Sequence, residues 1–525
     1  MKIKRVLLPV GAFALLGMTI GIGVTSTIRS KNSIPTKADT TDVTISTDAE
    51  FASFISAVNG GTRYDNELVQ LAADVSYEIT AKPTAADPWS IFAGTFDGAN
   101  HTITITVNMT DTCPSLFRNL GNGDFQDAVF KNTNLNYSVT NGITSGKMYA
   151  APVATYNNGL IQNVHSTMNF DAQNVGYVAG IVEKNQSLGV IEDCSVSGSV
   201  KGKTYLGGIT CENLGIIRNC VNNCALSNVT GAYVGGITSV NGTSGFVKAK
   251  IINCVNNANI SSTGKDLGGI AGFQYSNAET SYCSNYGNVT STSTESGCGY
   301  GGIIGRIDGA DSNADHAAKV EYCYNGGNLS TVRNTGGIIG MVNSGATPSV
   351  QVSGCFTTGN VNVTTQYGGT LIGWSNSNNL ILNDTHAAGA KSGVTTLGIG
   401  GGSAKATTTS VADGVSDDFR AIIKAIREYN CVAIPGFGTL YGGLDDGEKT
   451  LLNQINYYDD LNTYAMKTYG QAAEYIIDDQ AHGARVSLLN LNNNYWAVII
   501  VISVMVLSTA SMVFVIRRKK HAASK

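Results

Sequence analysis

The stretch that decides the fold is Tyr205-Leu206-Gly207-Gly208-Ile209, followed by Gly215-Ile216-Ile217-Arg218-Asn219-Cys220 and Ala225-Leu226-Ser227. These three short runs are separated by Asn and Gly, which is typical of strands joined by tight turns. The glycine–isoleucine element recurs with its glycine at Gly180, Gly208, Gly236, Gly269, Gly302 and Gly337, and in a degenerate copy at Gly369. Successive copies lie 28, 28, 33, 33, 35 and 32 residues apart, a period that indicates stacked supersecondary units.

Three strands per period form one coil of a parallel β-solenoid, in which each coil buries its inner face only against its neighbours. The sequence therefore predicts an all-β protein, with clear repeats over residues 176–385. Eight to ten coils at about 4.8 Å each would give a rod of about 40–50 Å. Such a repeat constrains the residues of the core and leaves those of the outer face unconstrained, so the pattern does not indicate a catalytic activity.

Residues 42–175 precede the clear repeats, and we interpret them as an N-terminal cap with the first irregular coils. Thr47-Asp48-Ala49-Glu50 matches a capping box, in which the threonine is the N-cap and the glutamate is N3. Apolar residues follow at helical spacing until Asn59-Gly60-Gly61, namely Phe51, Phe54, Ile55 and Val58. A helix laid across the first coil would cover an otherwise open sheet edge.

A family resemblance enters with Phe92-Ala93-Gly94-Thr95-Phe96-Asp97-Gly98-Ala99-Asn100-His101-Thr102-Ile103 and Ser115-Leu116-Phe117-Arg118-Asn119-Leu120. Together with the repeats, these segments resemble GLUG-type repeat proteins of Gram-positive bacterial surfaces. The same phrase is similar to the N-terminal β-helical region of immunoglobulin-A-cleaving metallopeptidases. The resemblance covers roughly residues 42–385 and implies a right-handed parallel β-helix on a bacterial surface.

The chain departs from these families in two ways. It has no Leu-Pro-x-Thr-Gly signal before its C-terminal apolar segment, so sortase attachment to the wall is not expected. It also lacks His-Glu-x-x-His, because no histidine is followed by glutamate. Zinc-peptidase chemistry therefore has no residues to supply its ligands and general base.

The two ends predict membrane attachment. Residues 1–30 combine Lys2, Lys4 and Arg5 with a long uncharged run, as in a signal peptide or an uncleaved signal anchor. Residues 496–516 carry no charge, and 21 residues of helix span about 30 Å, the hydrocarbon thickness of a bilayer. The basic tail 517–525 follows, so the positive-inside rule places the tail in the cytoplasm and the preceding chain outside.

Between the repeats and that segment, the pattern changes twice. Residues 386–415 are rich in Gly and Thr, and we interpret them as a linker or a ragged last coil. Residues 416–485 show helical spacing and predict a small membrane-proximal stalk. Four Asp-Asp pairs lie in this stalk and are expected to be solvated helix ends and faces: Asp417-Asp418, Asp445-Asp446, Asp459-Asp460 and Asp478-Asp479.

The charge distribution excludes one class of partner. The whole chain has 34 basic and 38 acidic residues, but 11 of the basic ones and one acidic one lie before residue 42 or after residue 516. The segment between carries a net charge of −14. Such a surface repels phosphate backbones, so no nucleic-acid partner is expected.

Six of the eleven cysteines occupy one slot of the repeat, at Cys194, Cys220, Cys254, Cys283, Cys323 and Cys355, with Val164 in that slot one repeat earlier. A slot that accepts Val or Cys is apolar and faces inward, where free cysteine behaves as a small hydrophobe. Stacked coils are close enough for disulfides, so a buried thiol ladder and rung-to-rung disulfides both remain open. No zinc site is expected, because no histidine or second cysteine pair has ligand spacing.

One acidic cluster lies within the repeats, in the longest inter-cysteine segment: Asp308, Asp311, Asp315 and Glu321. It fits a solvated insertion, a calcium loop or a catalytic site, in that order of preference. The nearby cations Arg306, Lys319 and Arg333 are explained by surface ion pairing. The sequence therefore assigns no catalytic, cofactor-binding or metal-ligating residue.

The sequence as a whole predicts a membrane-anchored cell-surface protein that acts as an adhesin or ligand-display rod without catalysis. Its partner would be a surface ligand, either a host glycan or protein or a wall polymer. The alternatives are a carbohydrate-active β-helix enzyme using the Asp308–Glu321 loop, and a structural spacer of the envelope. A cleft with carboxylates or exposed aromatic residues would favour carbohydrate, whereas a featureless face would favour a spacer.

Overall fold

The computed structural model describes the solenoid region of the chain and leaves both termini aside. It covers residues 41–80, 91–109, 114–121, 128–140, 149–171, 174–228, 231–244, 249–309, 317–343, 349–377, 380–383, 385–387, 391–396, 398–402, 406–408 and 411–413. Within these ranges no helix is long and apolar enough to cross a membrane. The predicted signal 1–30, stalk 416–485, membrane span 496–516 and tail 517–525 lie outside the described residues.

The described chain is a parallel β-solenoid of about nine turns. Each full coil contributes four strand segments in order, which we call columns A, B, C and D according to the stack each one joins. Every strand pairs in parallel with its counterpart in the next coil, as in the register Gly207, Gly235, Gly268, Gly301, Gly336 and Gly369 of column A. The predicted repeat is therefore confirmed as the stacking unit. The prediction of three strands per coil is wrong, because the backbone on the two sides of the glycine–isoleucine turn forms separate strands of columns A and B.

Columns A and B flank the glycine–isoleucine turn. Column A consists of Tyr149–Ala150, Tyr177–Ala179, Tyr205–Gly207, Tyr233–Gly235, Leu267–Gly268, Tyr300–Gly301, the ends of Leu329–Gly336 and Val361–Gly369, and Val394–Thr396. Column B forms a separate 10-stranded sheet of Ile91–Phe92, Phe117–Leu120, Ala154–Asn157, Val182–Asn185, Thr210–Asn213, Thr238–Asn241, Ala271–Tyr275, Ile304–Asp308, Ile339–Asn343 and Ile372–Ser375.

Columns C and D complete each coil. Column C consists of Val43–Ile45, Leu68–Leu71, Thr95–Asp97, the starts of Val129–Val139 and Leu160–Asp171, Val190–Glu192, Ile216–Arg218, Lys250–Ile252, Glu279–Ser281, Ala318–Glu321, Val350–Ser353, Leu380–Asn383 and Ala406–Thr408. Column D consists of Val75–Ile79, Thr102–Val107, the remainders of the two long strands, Ser195–Gly202, Val221–Asn228, Val255–Asn256, Ile260–Ser262, Ser284–Asn285, Val289–Ser291, Tyr324–Asn325, Leu329–Gly336, Phe356–Thr357, Val361–Gly369, Thr385–Ala387, Lys391–Ser392 and Val411–Asp413. Strands therefore continue into 386–415, and Ala406–Thr408 and Val411–Asp413 pair with the preceding coil.

The second glycine of each repeat stands where consecutive coils touch. A Cβ built at Gly208 would overlap the carbonyl oxygen of Gly236, and one at Gly236 would overlap that of Gly269. The following isoleucine is fully buried and hydrogen-bonds its counterpart one coil on, as from Ile209 N–H to the Ile237 carbonyl at 2.9 Å. The turn therefore needs glycine because the next backbone occupies the space of a side chain.

The cysteine slot faces inward, as predicted. The six repeat cysteines are at most 1% exposed, and Val164 in the same slot is fully buried. All nine cysteines in the described ranges are free. The residue before the slot turns the chain with a positive φ, and Asn219 (55°) and Asn253 (53°) hold it with an amide-to-amide hydrogen bond of 2.8 Å.

The interior also contains stacked asparagines at the turn between columns B and C. Asn157, Asn185, Asn213 and Asn241 are fully buried, and each side-chain amide donates to the next at 2.8, 2.9 and 2.9 Å. Because each amide has its partner in the neighbouring coil, these polar groups can be buried without losing hydrogen bonds.

The predicted helix is confirmed as α1, Asp48–Asn59, with both hydrogen bonds of the capping box between Thr47 and Glu50. Its four predicted apolar residues are all buried. Phe54 packs against Phe92, Phe96 and Phe117 of the first coils, with ring centroids 5.7, 5.7 and 6.1 Å away. The helix thus contributes its apolar face to the core of the solenoid.

Candidate ligand-binding groove

The acidic cluster expected in the Asp308–Glu321 loop does not form a site among the described residues. Asp308 ends a column B strand and Glu321 ends the following column C strand, while Asp311 and Asp315 lie outside the described ranges. The Asp308 carboxylate pairs with Arg306 and accepts hydrogen bonds from Gly309 N–H at 2.7 Å and Asn343 Nδ2 at 3.0 Å. Asp308 therefore has a structural role at the end of its strand.

A concave surface lies instead on the outside of the solenoid, between columns A and B. Ala151, Ala179 and Cys211 form a small apolar cluster there, separate from the main core, with Tyr177 and Tyr205 packed against it. Cys211 is the second residue of its column B strand, and Glu183 and Ser239 hold that position in the adjacent coils. Side chains at this position form the floor of what we call the groove.

The groove closes where that second residue becomes glycine. In the following coils the position is occupied by Gly272, Gly305, Gly340 and Gly373. A Cβ at Gly272 would lie 2.7 Å from the backbone nitrogen of Val234, and one at Gly305 would lie 2.8 Å from that of Leu267. Column A backbone therefore packs directly on column B glycines there, and no space remains between the two columns.

One wall of the groove is a row of tyrosines that begin successive column A strands. Tyr149, Tyr177, Tyr205 and Tyr233 are in register, with ring centroids 5.1, 4.6 and 5.2 Å apart. Tyr177 and Tyr205 are stacked within 7° of parallel, whereas Tyr205 and Tyr233 meet edge to face at 68°. Tyr149 is tilted by 41° from Tyr177, so the row has one stacked pair, Tyr177–Tyr205, with a tilted ring on either side of it.

The facing wall is the outward position of column B. Its residues in register are Tyr156, Lys184, Glu212, Val240, Phe273, Arg306, Met341 and Trp374. Val240 is the smallest of them, and it leaves a cavity of about 180 Å³ between Glu212 and Phe273, which we call the Val240 hollow. The hollow is lined by Lys184, Tyr205, Glu212, Leu214, Tyr233, Val240, Gly242, Thr243, Phe273 and Tyr275.

The charged groups of the groove largely cancel. Lys184 Nζ lies 2.7 Å from Glu212 Oε2, and each side chain is 28% exposed. Glu183 is only 3% exposed, and burial, reinforced by the nearby Glu212 carboxylate, raises the pKa of Glu183 to about 8. Glu183 is therefore mostly protonated and uncharged at neutral pH.

A second charged group bounds the groove beyond Tyr233. Asp266 is the next residue in the tyrosine register and is fully buried, and burial raises its pKa to about 7 against the opposing effect of Arg306. Arg306 Nη1 lies 3.7 Å from Asp266 Oδ2, and the guanidinium stands 5.6 Å from the ring centroid of Phe273. The Arg306 guanidinium therefore already interacts with the carboxyl groups of Asp266 and Asp308 and with the ring of Phe273. Elsewhere in the described chain too, no group of three His, Cys, Asp or Glu side chains is arranged to hold a metal ion.

The sequence contained signals for this groove that the repeat pattern obscured. Tyrosine recurs at intervals of 28 residues at Tyr149, Tyr177, Tyr205 and Tyr233, and then stops. The residue two places after the repeat isoleucine changes from Glu, Cys and Ser to Gly at the same point. The first pattern marks the wall and the second marks the open part of the floor.

Comparisons with known proteins add little to this geometry. No family model matches the chain, and no curated protein matches it. Among solved structures, it is similar to a crystal structure at 1.30 Å described as a "putative immunoglobulin A1 protease from Bacteroides ovatus". The two share 18% sequence identity with a TM-score of 0.30, over 63% of this chain and 81% of that one. At that TM-score the likeness supports no conclusion about function.

Proposed function

We propose that this protein is a bacterial cell-surface β-helix that binds carbohydrate in its groove and does not catalyse a reaction. In this proposal the solenoid is a right-handed GLUG-type helix capped by α1, and residues 496–516 anchor it in the membrane with the solenoid outside. Both attachment and winding rest on the sequence, through the uncharged segment before the basic tail and the family resemblance. The groove supports the binding role.

The observation that carries the proposal is the confinement of the groove to a few coils. The same repeat closes the space with glycine from Gly272 onwards, so an open groove is not a consequence of the fold itself. The open part is lined with aromatic rings and a few polar groups, as binding sites for small molecules commonly are. A structural spacer needs no such surface.

Carbohydrate fits this lining better than a charged partner does. Sugars offer apolar C–H faces to aromatic rings and hydroxyl groups to polar side chains, and Tyr205, Tyr233 and Phe273 stand beside the Lys184–Glu212 pair. The cancelled charges give no attraction for a strongly anionic or cationic polymer. The ligand source would be a host glycan or a wall polymer.

The experiment is glycan-array binding by the full-length chain in detergent. We expect wild type to bind a set of uncharged glycans, and the double substitution Tyr205→Ala with Tyr233→Ala to abolish that binding. The matched control is Tyr282→Ala with Tyr322→Ala, because these two tyrosines stack on each other at 5.1 Å outside the groove. Equal loss in both doubles, or no glycan binding by wild type, would contradict the proposal.

A second candidate is a glycoside hydrolase, which the Glu183–Glu212 pair favours. A buried carboxyl with a raised pKa beside a second carboxyl group is the arrangement of a general acid with a nucleophile or base. Against this role, the Glu212 carboxylate is paired with Lys184 at 2.7 Å, which makes it less available as a nucleophile or base. Turnover of the bound glycans that disappears in Glu183→Gln would establish the hydrolase and refute the non-catalytic assignment.

A further inference from the structure

The Val240 hollow has a specific structural cause. Val240 is 8% exposed and stands in register between Glu212 and Phe273 in the outward position of column B. Glu212 and Phe273 are longer, so the valine creates a depression one rung wide. The adjacent Gly242 adds no side chain to fill it.

The size of the hollow limits its occupant. Pockets for drug-sized ligands enclose about 300–1,000 Å³, whereas the hollow encloses about 180 Å³. We therefore expect the hollow itself to hold a single six-membered ring. A longer ligand would have to place one residue here and extend along the tyrosine row towards Tyr149.

The charges around the hollow limit the occupant further. The carboxylate of Glu212 and the ammonium of Lys184 already neutralise each other at 2.7 Å. Arg306, behind Phe273, is engaged by Asp308 and Asp266. A ligand with a carboxylate would bring a second anion to Glu212, and one with an ammonium would compete with Lys184. The hydroxyl groups of an uncharged ligand can instead accept a hydrogen bond from the Lys184 ammonium and donate one to the Glu212 carboxylate, without breaking the pair.

We propose, resting on the carbohydrate-binding function above, that the Val240 hollow is the specificity subsite and takes one uncharged pyranose ring. Tyr233 and Phe273 contact each other, with ring centroids 5.1 Å apart, so the apolar face of the sugar packs on the open side of this ring pair. Its hydroxyl groups hydrogen-bond the Lys184–Glu212 pair. The rest of the glycan extends over Tyr205 and Tyr177. The hollow thus determines which sugar residue binds, while the tyrosine row adds affinity without discriminating between sugars.

The test uses monosaccharide glycosides and the full-length chain. Binding of methyl β-D-glucopyranoside, methyl β-D-galactopyranoside and methyl N-acetyl-β-D-glucosaminide is measured by saturation-transfer NMR, beside methyl β-D-glucuronide as the anion and methyl β-D-glucosaminide as the cation. Val240→Phe fills the hollow with a side chain that points outward, so the core is undisturbed. Met341→Phe is the matched control, because Met341 holds the same outward position outside the hollow.

We expect at least one uncharged glycoside to bind wild type and Met341→Phe equally, and to bind Val240→Phe at least tenfold more weakly. Stronger binding of the anion or the cation, or unchanged binding by Val240→Phe, would overturn the inference. So would the absence of monosaccharide binding. In each of these cases, array glycans that still require Tyr205 and Tyr233 would leave the proposed function standing. Loss of both kinds of binding would remove the function as well.

Discussion

Replacing Glu183 by Gln should stabilise the protein at alkaline pH, because the wild-type carboxylate must ionise in a buried site. Glu183 is 3% exposed, and burial together with Glu212 raises its pKa from 4.5 to about 8. Between these two values the unfolded chain has lost a proton that the folded chain keeps. The free energy of unfolding therefore falls as pH rises through this window and stays level above it.

The magnitude follows from the width of the window. A shift from 4.5 to about 8 corresponds to a loss of about 5 kcal/mol across it, at about 1.4 kcal/mol per unit. Glutamine removes that loss, but its buried amide costs about 1–3 kcal/mol where it lacks partners. Glu183→Gln should therefore be about 2–4 kcal/mol more stable than wild type at pH 9, and no more stable at pH 4.5.

The assay is hydrogen exchange of the backbone amides of Val182–Asn185 at several pH values, corrected for intrinsic rates. A local measurement is needed because stacked coils need not unfold in one step. Asp171→Asn is the control, since its carboxylate is on the surface with 55% side-chain exposure and should leave the pH dependence unchanged. A pH profile in Glu183→Gln that is parallel to wild type would refute the reasoning.

Substitutions at three further positions test the stacking of the coils. Gly236→Ala should lower the denaturation midpoint by an amount equivalent to at least about 1–3 kcal/mol, because its Cβ would overlap the Gly269 carbonyl; an unchanged midpoint would contradict the assigned contact. Asn213→Ala should cost about 1–3 kcal/mol for each buried acceptor it strands, measured by urea denaturation, and a neutral effect would show that the asparagine ladder contributes nothing. Cys254→Asp should cost several kcal/mol, by burying an unpaired charge, whereas Cys254→Val should be tolerated; rapid labelling of Cys254 by a bulky thiol reagent in the folded protein would show that the slot is open.

The repeat phrase was sufficient to predict the stacking, because the same steric demand recurs in every coil. Gly208 must be glycine since the next backbone occupies its Cβ position. The inward direction of the cysteine slot was predictable for a similar reason, because Val164 at the equivalent position indicates that the slot is apolar. The turn glycine and the apolar slot each depend only on contacts with the neighbouring coils, so both recur in the sequence once per repeat.

The burial of the stacked asparagines could not be predicted from the sequence. Asn185 and Asn213 belong to a polar residue type that normally indicates an exposed turn. They are buried because each amide finds its partner one coil away, which requires the exact register of the stack. Tyr282 and Tyr322 likewise replace Asn in the positive-φ position, at 56° and 53°, and are stabilised by stacking on each other.

The groove is not evident from clusters of carboxylates along the chain, because its residues come from successive coils. Asp308 and Glu321 are near in sequence, but they end strands of different columns. Glu183 and Glu212 are 29 residues apart and lie in adjacent coils. In a solenoid, residues one period apart are neighbours, so a site is read down a column and not along a loop.

The central claim is that carbohydrate binds in the groove at the Val240 hollow, and the most direct test is a crystal structure of the protein with its best-binding array glycan. We expect electron density for one sugar ring in the hollow, against the Tyr233–Phe273 ring pair and within hydrogen-bonding distance of Lys184 or Glu212. The remaining sugars should follow the row of Tyr205 and Tyr177. Density on any other face, with the hollow holding only water, would contradict it.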